Sequence, residues 1–217
     1  MEIDTSLMYV DADDHNNWFF KKYYFCGASL RYYTFQMSLN ILYQCHKDPV
    51  IIETGCQREA NDIGAGMSTC MFAEFVARYG GKTISVDNNE EHLNRARGFV
   101  KKWPDANMEF VHADSEGFLK SYTGECNLLY LDSLDYPIGN DEHNVRMQQD
   151  AQNYCLAEFL AIESSLADDT ILLIDDNQFP TGGKPKKLKE YLLIRGWICL
   201  FDLQATLWVK KIGKRNV

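Results

Sequence analysis

Five short apolar runs in this chain each lead into acidic residues. Val50–Glu53 continues as Glu53-Thr54-Gly55, and Thr83–Val86 ends at Asp87. Met108–Val111 is followed by Asp114-Ser115, Asn127–Leu131 by Asp132-Ser133-Leu134-Asp135, and Thr170–Ile174 by Asp175-Asp176-Asn177. Carboxylates so placed could accept the hydroxyls of a ribose, take a proton, or ligate a hard divalent cation. Any one of them could instead be a helix N-cap, but five in register are harder to assign to capping. The segment Gly64-Ala-Gly66-Met-Ser68 follows the first run just before a helical pattern. Glycines there let a backbone turn tightly and approach a ligand closely.

Positioning these residues requires a particular sheet. The runs are apolar throughout and alternate with helical patterns: Phe72, Phe75, Val76, Tyr79; then Leu93, Ala96, Val100; then Ala151, Cys155, Phe159, Ile162, Leu166; then Leu188, Tyr191, Leu192. That alternation predicts a parallel sheet covered on both faces. Asn88 with Glu91 is expected to form a capping box for the second of these helices, and Pro185 suits the first turn of the fourth. Ile198–Asp202 and Thr206–Lys210 are separated only by Leu203-Gln-Ala205, too short for a crossover helix, so this pair must be antiparallel. The expectation is an α/β protein: a single Rossmann-like, doubly wound sheet of seven strands with the last strand antiparallel. Residues 29–45 read as an amphipathic helix, with a shorter helix before it broken near Gly27. These aromatic-rich helices have no place among the strands and are expected to cap the crevice, with Trp18, Tyr32 or Tyr33 facing the substrate. Residues 1–48 are thus a leader plus capping helices, and 49–217 the ligand-binding domain. In open α/β sheets ligands collect outside the carboxyl ends of the strands, which is where the acids stand.

The 217 residues are 46% apolar and 24% charged, an ordinary globular balance that excludes a fibrous or disordered chain. A formal charge of -9 makes a phosphate backbone a poor partner. The lysines at 184, 186, 187 and 189 and the basic tail from Lys210 read as solvated faces. Nucleic acid is therefore set aside in favour of a small-molecule substrate, and self-association is left open. Seven cysteines with no CxxC pair, an acidic Met1-Glu-Ile-Asp4 start and no long apolar stretch point to a reduced, cytoplasmic protein without a membrane span.

Asp87, closing the second strand, is placed to accept both hydroxyls of a ribose, which indicates an adenosine-bearing cofactor. The nicotinamide fingerprint is incomplete, because Thr69 stands in the third glycine's place, and no phosphate-loop motif is present. The segments Ile51-Ile-Glu-Thr-Gly55, Ile84-Ser-Val-Asp87, His112-Ala-Asp-Ser115 and the terminal hairpin resemble the class I S-adenosylmethionine-dependent methyltransferases, over about residues 49–211. Leu129-Tyr-Leu-Asp132 and Leu172-Leu-Ile-Asp-Asp-Asn177 look most like the cation-dependent small-molecule O-methyltransferases. The resemblance implies S-adenosylmethionine as cofactor. Glu53 and Gly55 would line its methionine part, with Gly64 or Gly66 nearby, and Ser68 would hold its carboxylate. Asp87 would bind the ribose, Asp114 and Ser115 the adenine, with Asp132 completing the cofactor site. Asp132, Asp176 and Asn177 would ligate a divalent cation, Mg²⁺ above all, which would lower the pKa of an acceptor hydroxyl.

The chain departs from that family in two places. Gln57–Ile63 lengthens the first glycine loop, so Arg58 could instead meet the cofactor carboxylate. Asp135 stands where the family often has a lysine base. Asp135, His143 and Lys184 are the candidates for the catalytic base, and Asp175 is an alternative ligand to Asp176. The resulting expectation is an O-methyltransferase acting on a small hydroxylated acceptor. A metal-free N- or O-methyltransferase is the alternative, and a nucleotide-dependent dehydrogenase or binding module is a third reading.

Overall fold

The computed structural model describes residues 17–23, 30–60 and 67–211. Seven strands form one sheet: β1 (Val50–Thr54), β2 (Lys82–Asp87), β3 (Met108–His112), β4 (Leu128–Leu131), β5 (Ile171–Ile174), β6 (Ile198–Asp202) and β7 (Thr206–Val209). Their order is β3-β2-β1-β4-β5-β7-β6, and the first five are parallel. β7 inserts antiparallel between β5 and β6, as the short Leu203–Ala205 connection requires. The direction of connection reverses between β1 and β4, so a crevice opens where their carboxyl ends part.

Helices cover both faces. On one face α1 (Asn17–Tyr23), α2 (Arg31–Cys45) and α3 (Ser68–Tyr79) bury Phe19, Phe35, Leu39, Leu42, Phe72 and Phe75 against Ile51, Tyr130 and Leu173. On the other, α5 (Ser115–Ser121), α6 (Glu142–Ile162) and α7 (Lys186–Ile194) bury Leu119, Cys155, Phe159, Leu188 and Leu192 against Ile52, Leu129, Leu172 and Trp208. α4 (Glu90–Val100) packs beside α3, β2 and β3. Successive strand residues thus point to opposite layers, and β1 and β4 are apolar on both sides for that reason.

Local chemistry differs from expectation at two helix starts. Asn89, not Asn88, caps α4, its side chain accepting the backbone N–H groups of Glu91 (2.9 Å) and His92 (3.4 Å). A cap accepts from the second or third helical N–H, which fixes it one residue later than the box pattern indicated. Pro185 precedes α7 at its cap rather than lying inside its first turn. The leader before residue 17 and the break at Gly27 lie outside the described residues. Among those described, no helix is long and apolar enough to cross a membrane.

Candidate active site

The crevice holds a cavity of about 260 Å³ lined by Arg31, Gly55, Cys56, Arg58, Asp87, Asn88, His92, Asp132, Ser133, Leu134, Asp135 and Asp176. Three carboxylates expected to share a rim, Asp87, Asp132 and Asp176, do share this one. A narrower slot of about 20 Å³ adjoins it, lined by Gly55, Val86, Asp87, Asn88, Ser115, Ser133, Leu134 and Tyr154. That is room for about one water.

Gly55 makes the crevice narrow at its base. Its φ is +79°, and a Cβ there would lie 2.4 Å from the Asp132 carbonyl oxygen. Only glycine lets β1 turn away this close to the exit of β4. Its N–H donates to Val86 O at 2.8 Å, and Asp132 N–H donates to Thr54 O at 3.0 Å. Across the turn, Asp87 Oδ1 accepts Asn89 N–H at 2.8 Å and Oδ2 accepts Cys56 N–H at 3.2 Å. These bonds fix the carboxylate plane and leave lone pairs for a ligand.

Strand parity gathers the next group. Tyr130 and Asp132 are two apart, as are Leu173 and Asp175, and β4 and β5 pair with Tyr130 opposite Leu173. Tyr130, Asp132 and Asp175 therefore project on the face that α2 covers. Tyr130 Oη donates to Asp175 Oδ2 at 2.6 Å, with Asp132 Oδ2 at 3.1 Å. Arg31, in the first turn of α2, donates through Nε to Asp175 Oδ1 at 2.9 Å and lies 3.7 Å from Asp176 Oδ1. Asp175 is fully buried, whereas Asp176 faces the cavity. Burial works against the Arg31 charge, but the surrounding acids, Asp175 foremost, hold its pKa above the ordinary value.

Lys184 is delivered to the same place by a folded-back glycine segment. Gly183 has φ +69°, and a Cβ on it would stand 2.3 Å from Asp176 O. Lys184 N–H then donates to that carbonyl at 3.0 Å. The side chain is 2% exposed, and Nζ lies 2.6 Å from Asp132 Oδ1 and 3.2 Å from Asp176 Oδ2. Burial opposes its charge, but Asp132, Asp176 and Asp175 together keep the ammonium protonated well above the usual lysine range. Burial pushes the Asp132 and Asp176 carboxyls upward, while Lys184 pulls both back.

The remaining expected residues take other positions. Glu53 does not line the cavity: it is fully buried and accepts from Ser85 Oγ at 2.6 Å, Thr69 Oγ1 at 2.8 Å and Ser68 Oγ. Ser68 is thereby turned inward as well. Alternation puts Glu53 on the α3 side of β1, where burial raises its carboxyl to about 7. Asp114 caps α5 through Gly117 N–H at 2.8 Å, and its other oxygen takes the Tyr154 hydroxyl. Ser115 lies in the narrow slot, 3.1 Å from Tyr154 Oη. Asp135 is held by both nitrogens of the Arg58 fork, at 2.9 and 2.8 Å, which keeps its carboxyl below the usual range. His143 lies in a separate exposed hollow with Asp141, Glu142 and Arg146. Gly64 and Gly66 are outside the described residues.

The expected metal trio does not converge. Asn177 turns away from the crevice: its Nδ2 donates to Asp202 Oδ1 at 2.8 Å and Leu203 O at 2.5 Å, and its Oδ1 accepts from Lys189 at 3.2 Å. The space between Asp132 and Asp176 is taken by Lys184. Among the described residues no group of three or more His, Cys, Asp and Glu side chains is arranged to hold a metal ion. The residues present thus do not fit a divalent cation at this position.

Arg31, Tyr130 and Tyr154 were not anticipated from the sequence. Trp18 and Tyr32 pack in the aromatic cluster with Phe19, Tyr33 is half-exposed, and none of them lines the cavity. The residue from this helix that reaches the crevice is Arg31.

Several solved structures share the fold. NSun6 from Pyrococcus horikoshii matches with a TM-score of 0.62 at 13% identity, over 84% of this chain and 52% of its own, so this chain spans about half its length. An rRNA methylase from Streptococcus thermophilus matches with a TM-score of 0.53 at 14% identity, over 83% of this chain and 97% of its own. A calicheamicin methyltransferase, CalS11, matches with a TM-score of 0.56 at 11% identity, over 97% of each. No curated protein matches the sequence. The presence of an rRNA methylase on this fold overturns the expectation that nucleic acid is a poor partner. Net charge sums over the whole surface and does not describe one rim. The fold also carries methyltransferases on both RNA and small molecules, so it does not single out the cation-dependent branch. Residues 62–177 match the model of the methyltransferase domain, a stretch that carries Asp87, Asp132, Asp135 and Asp176 of the crevice; the chain belongs to that family and is an S-adenosylmethionine-dependent methyltransferase.

Proposed function

We propose that this chain methylates a hydroxyl oxygen of a small acceptor bound over Asp132, Asp176 and Arg31, with the cofactor lying across Gly55 and Asp87. The observation that carries the reading is that Asp87, Asp132 and Asp176 line one cavity beside a glycine whose Cβ would close it. Those residues fit the cofactor: Asp87 would accept the ribose hydroxyls, Gly55 would admit the chain next to them, and Ser115 and Tyr154 would border the adenine. When bound, S-adenosylmethionine supplies an electrophilic methyl group already attached to a good leaving group. The protein's task is then to align an oxygen and receive its proton, and alignment can account for several kcal/mol of the barrier, about 7–11 in ideal cases.

Of the three expected bases, Asp135 is bound to Arg58, His143 sits in another hollow, and Lys184 is a buried ammonium without a free lone pair. With Asp87 assigned to the ribose and Asp135 held by Arg58, Asp132 and Asp176 are the other carboxylates lining the cavity, and one of them would accept the acceptor's proton. Each cavity-facing carboxylate can only accept hydrogen bonds when ionised, so the acceptor must bring a donor, as a hydroxyl does.

Incubation with methyl-labelled S-adenosylmethionine and a panel of sugars, catechols, amines and RNA tests this reading. Label recovered as a base-stable ether on a small hydroxylated compound is the expected result. Label confined to RNA or to amine nitrogen would overturn it.

A further inference from the structure

We propose that Lys184 is the built-in cation of this site, occupying the position between Asp132 and Asp176 that a divalent metal would otherwise take. The proposal deepens the function above, since it states how the acceptor end of that crevice is held together, but it can be tested without turnover.

Three carboxylates meet here, Asp132, Asp175 and Asp176, and groups of like charge at this range cannot all ionise without a counter-charge between them. The chain supplies two. Arg31 faces Asp175 and Asp176 from α2, and Lys184 bridges Asp132 and Asp176 from the segment before α7. Lys184 is not a surface side chain that has folded in by chance. Its stem is buried, and its backbone is pinned by the bond to Asp176 O. The preceding Gly183 packs against Asp176 and Asn177 carbonyls, and Gly183 O accepts Gln152 Nε2 at 3.1 Å. Asn177 takes no part, being bound on both ends of its amide by the β6–β7 corner and Lys189, so the ammonium alone stands where a cation bridging Asp132 and Asp176 would sit. An ammonium is compact and presents three donors. It satisfies oxygens at hydrogen-bond distance without the tight octahedral shell that Mg²⁺ demands. Lys184 is therefore a positioning residue: it sets the spacing and orientation of Asp132 and Asp176, which face the cavity while it does not.

Mn²⁺ titration followed by electron paramagnetic resonance, on the wild-type chain and on Lys184→Met, decides the matter. The wild type is expected to leave Mn²⁺ free, and Lys184→Met, which keeps the stem and removes the charge, to gain stoichiometric binding that Asp176→Asn then abolishes. Lys184→Arg, which restores a cation, should again leave Mn²⁺ free. Stoichiometric binding of Mn²⁺ by the wild type, lost in Asp176→Asn, would overturn the proposal. Should Lys184→Met fail to fold, the wild-type and Asp176→Asn titrations decide alone. Calorimetry with S-adenosylhomocysteine in the presence of chelator separates the two readings: its failure to bind would count against the proposed function, while the Mn²⁺ result would still judge Lys184.

Discussion

Replacing Glu53 with glutamine should change how stability responds to pH. The carboxyl is sealed between β1, β2 and the start of α3, with three hydroxyls donating to it, and burial raises it from 4.5 to about 7. A folded state that binds a proton more tightly than the unfolded chain is most favoured below the unfolded value. The contribution of Glu53 is therefore complete below pH 4.5, declines as pH rises from 4.5 to about 7, and is gone above that. The full amplitude is about 3 kcal/mol at 1.36 kcal/mol per decade of proton affinity. Glutamine keeps the shape and cannot ionise, so Glu53→Gln carries only a fixed offset from altered hydrogen bonding. Urea denaturation of both proteins at half-unit steps from pH 4.5 to 8 isolates the term, because other buried acids such as Glu158 contribute equally to each. The stability difference should move in the variant's favour by about 3 kcal/mol across that range and then level off. A difference that stays constant with pH would refute the argument that Glu53 is a dry, structural carboxyl.

Other perturbations probe the rest of the rim. Arg31→Met strips Asp175 of its buried partner and should cost about 3–5 kcal/mol in urea unfolding. Gly55→Ala forces a side chain onto Asp132 O at a left-handed backbone, so S-adenosylhomocysteine binding measured by calorimetry should be lost even where the protein still folds. Arg58→Ala and Asp135→Asn remove two halves of one exposed ion pair; each should lower stability by less than about 1 kcal/mol. Their effects on kcat should match, whereas a catalytic Asp135 would show a far larger loss in Asp135→Asn alone.

Much of the architecture could be read from the chain because its signals are local. The strand runs, the short Leu203–Ala205 corner and the acids closing each strand depend on neighbours in sequence, and the rim shared by Asp87, Asp132 and Asp176 follows from parallel pairing. What escaped depends on side-chain direction or on contacts between distant segments. Tyr130 could have been found from parity, since Tyr130-Leu131-Asp132 places its ring beneath the carboxylate. Arg31 leaves a weaker trace, a lone charge at the head of an aromatic helix, beside the more conspicuous Tyr32 and Tyr33. The orientation of Asn177 is set by Asp202 and Leu203 across the β6–β7 corner, which the sequence near Asn177 does not reveal. Lys184 is legible in the sequence as a candidate base, but its burial between two carboxylates is not, because that depends on a glycine turn packing under Asp176. The resemblance places Glu53 and Ser68 at the cofactor, whereas alternation along β1 turns Glu53 toward α3, where Ser68 donates to it.

In the proposed function Asp87 holds the ribose of the methyl donor at this crevice. Calorimetric titration of S-adenosylhomocysteine into the wild type and into Asp87→Asn, with urea unfolding to confirm that both are folded, tests it most directly. Hydrogen bonds to a charged group are worth about 1.5–3 kcal/mol, so affinity should fall at least about tenfold in the variant. Equal affinity in the two proteins, or no binding to the wild type, would contradict it.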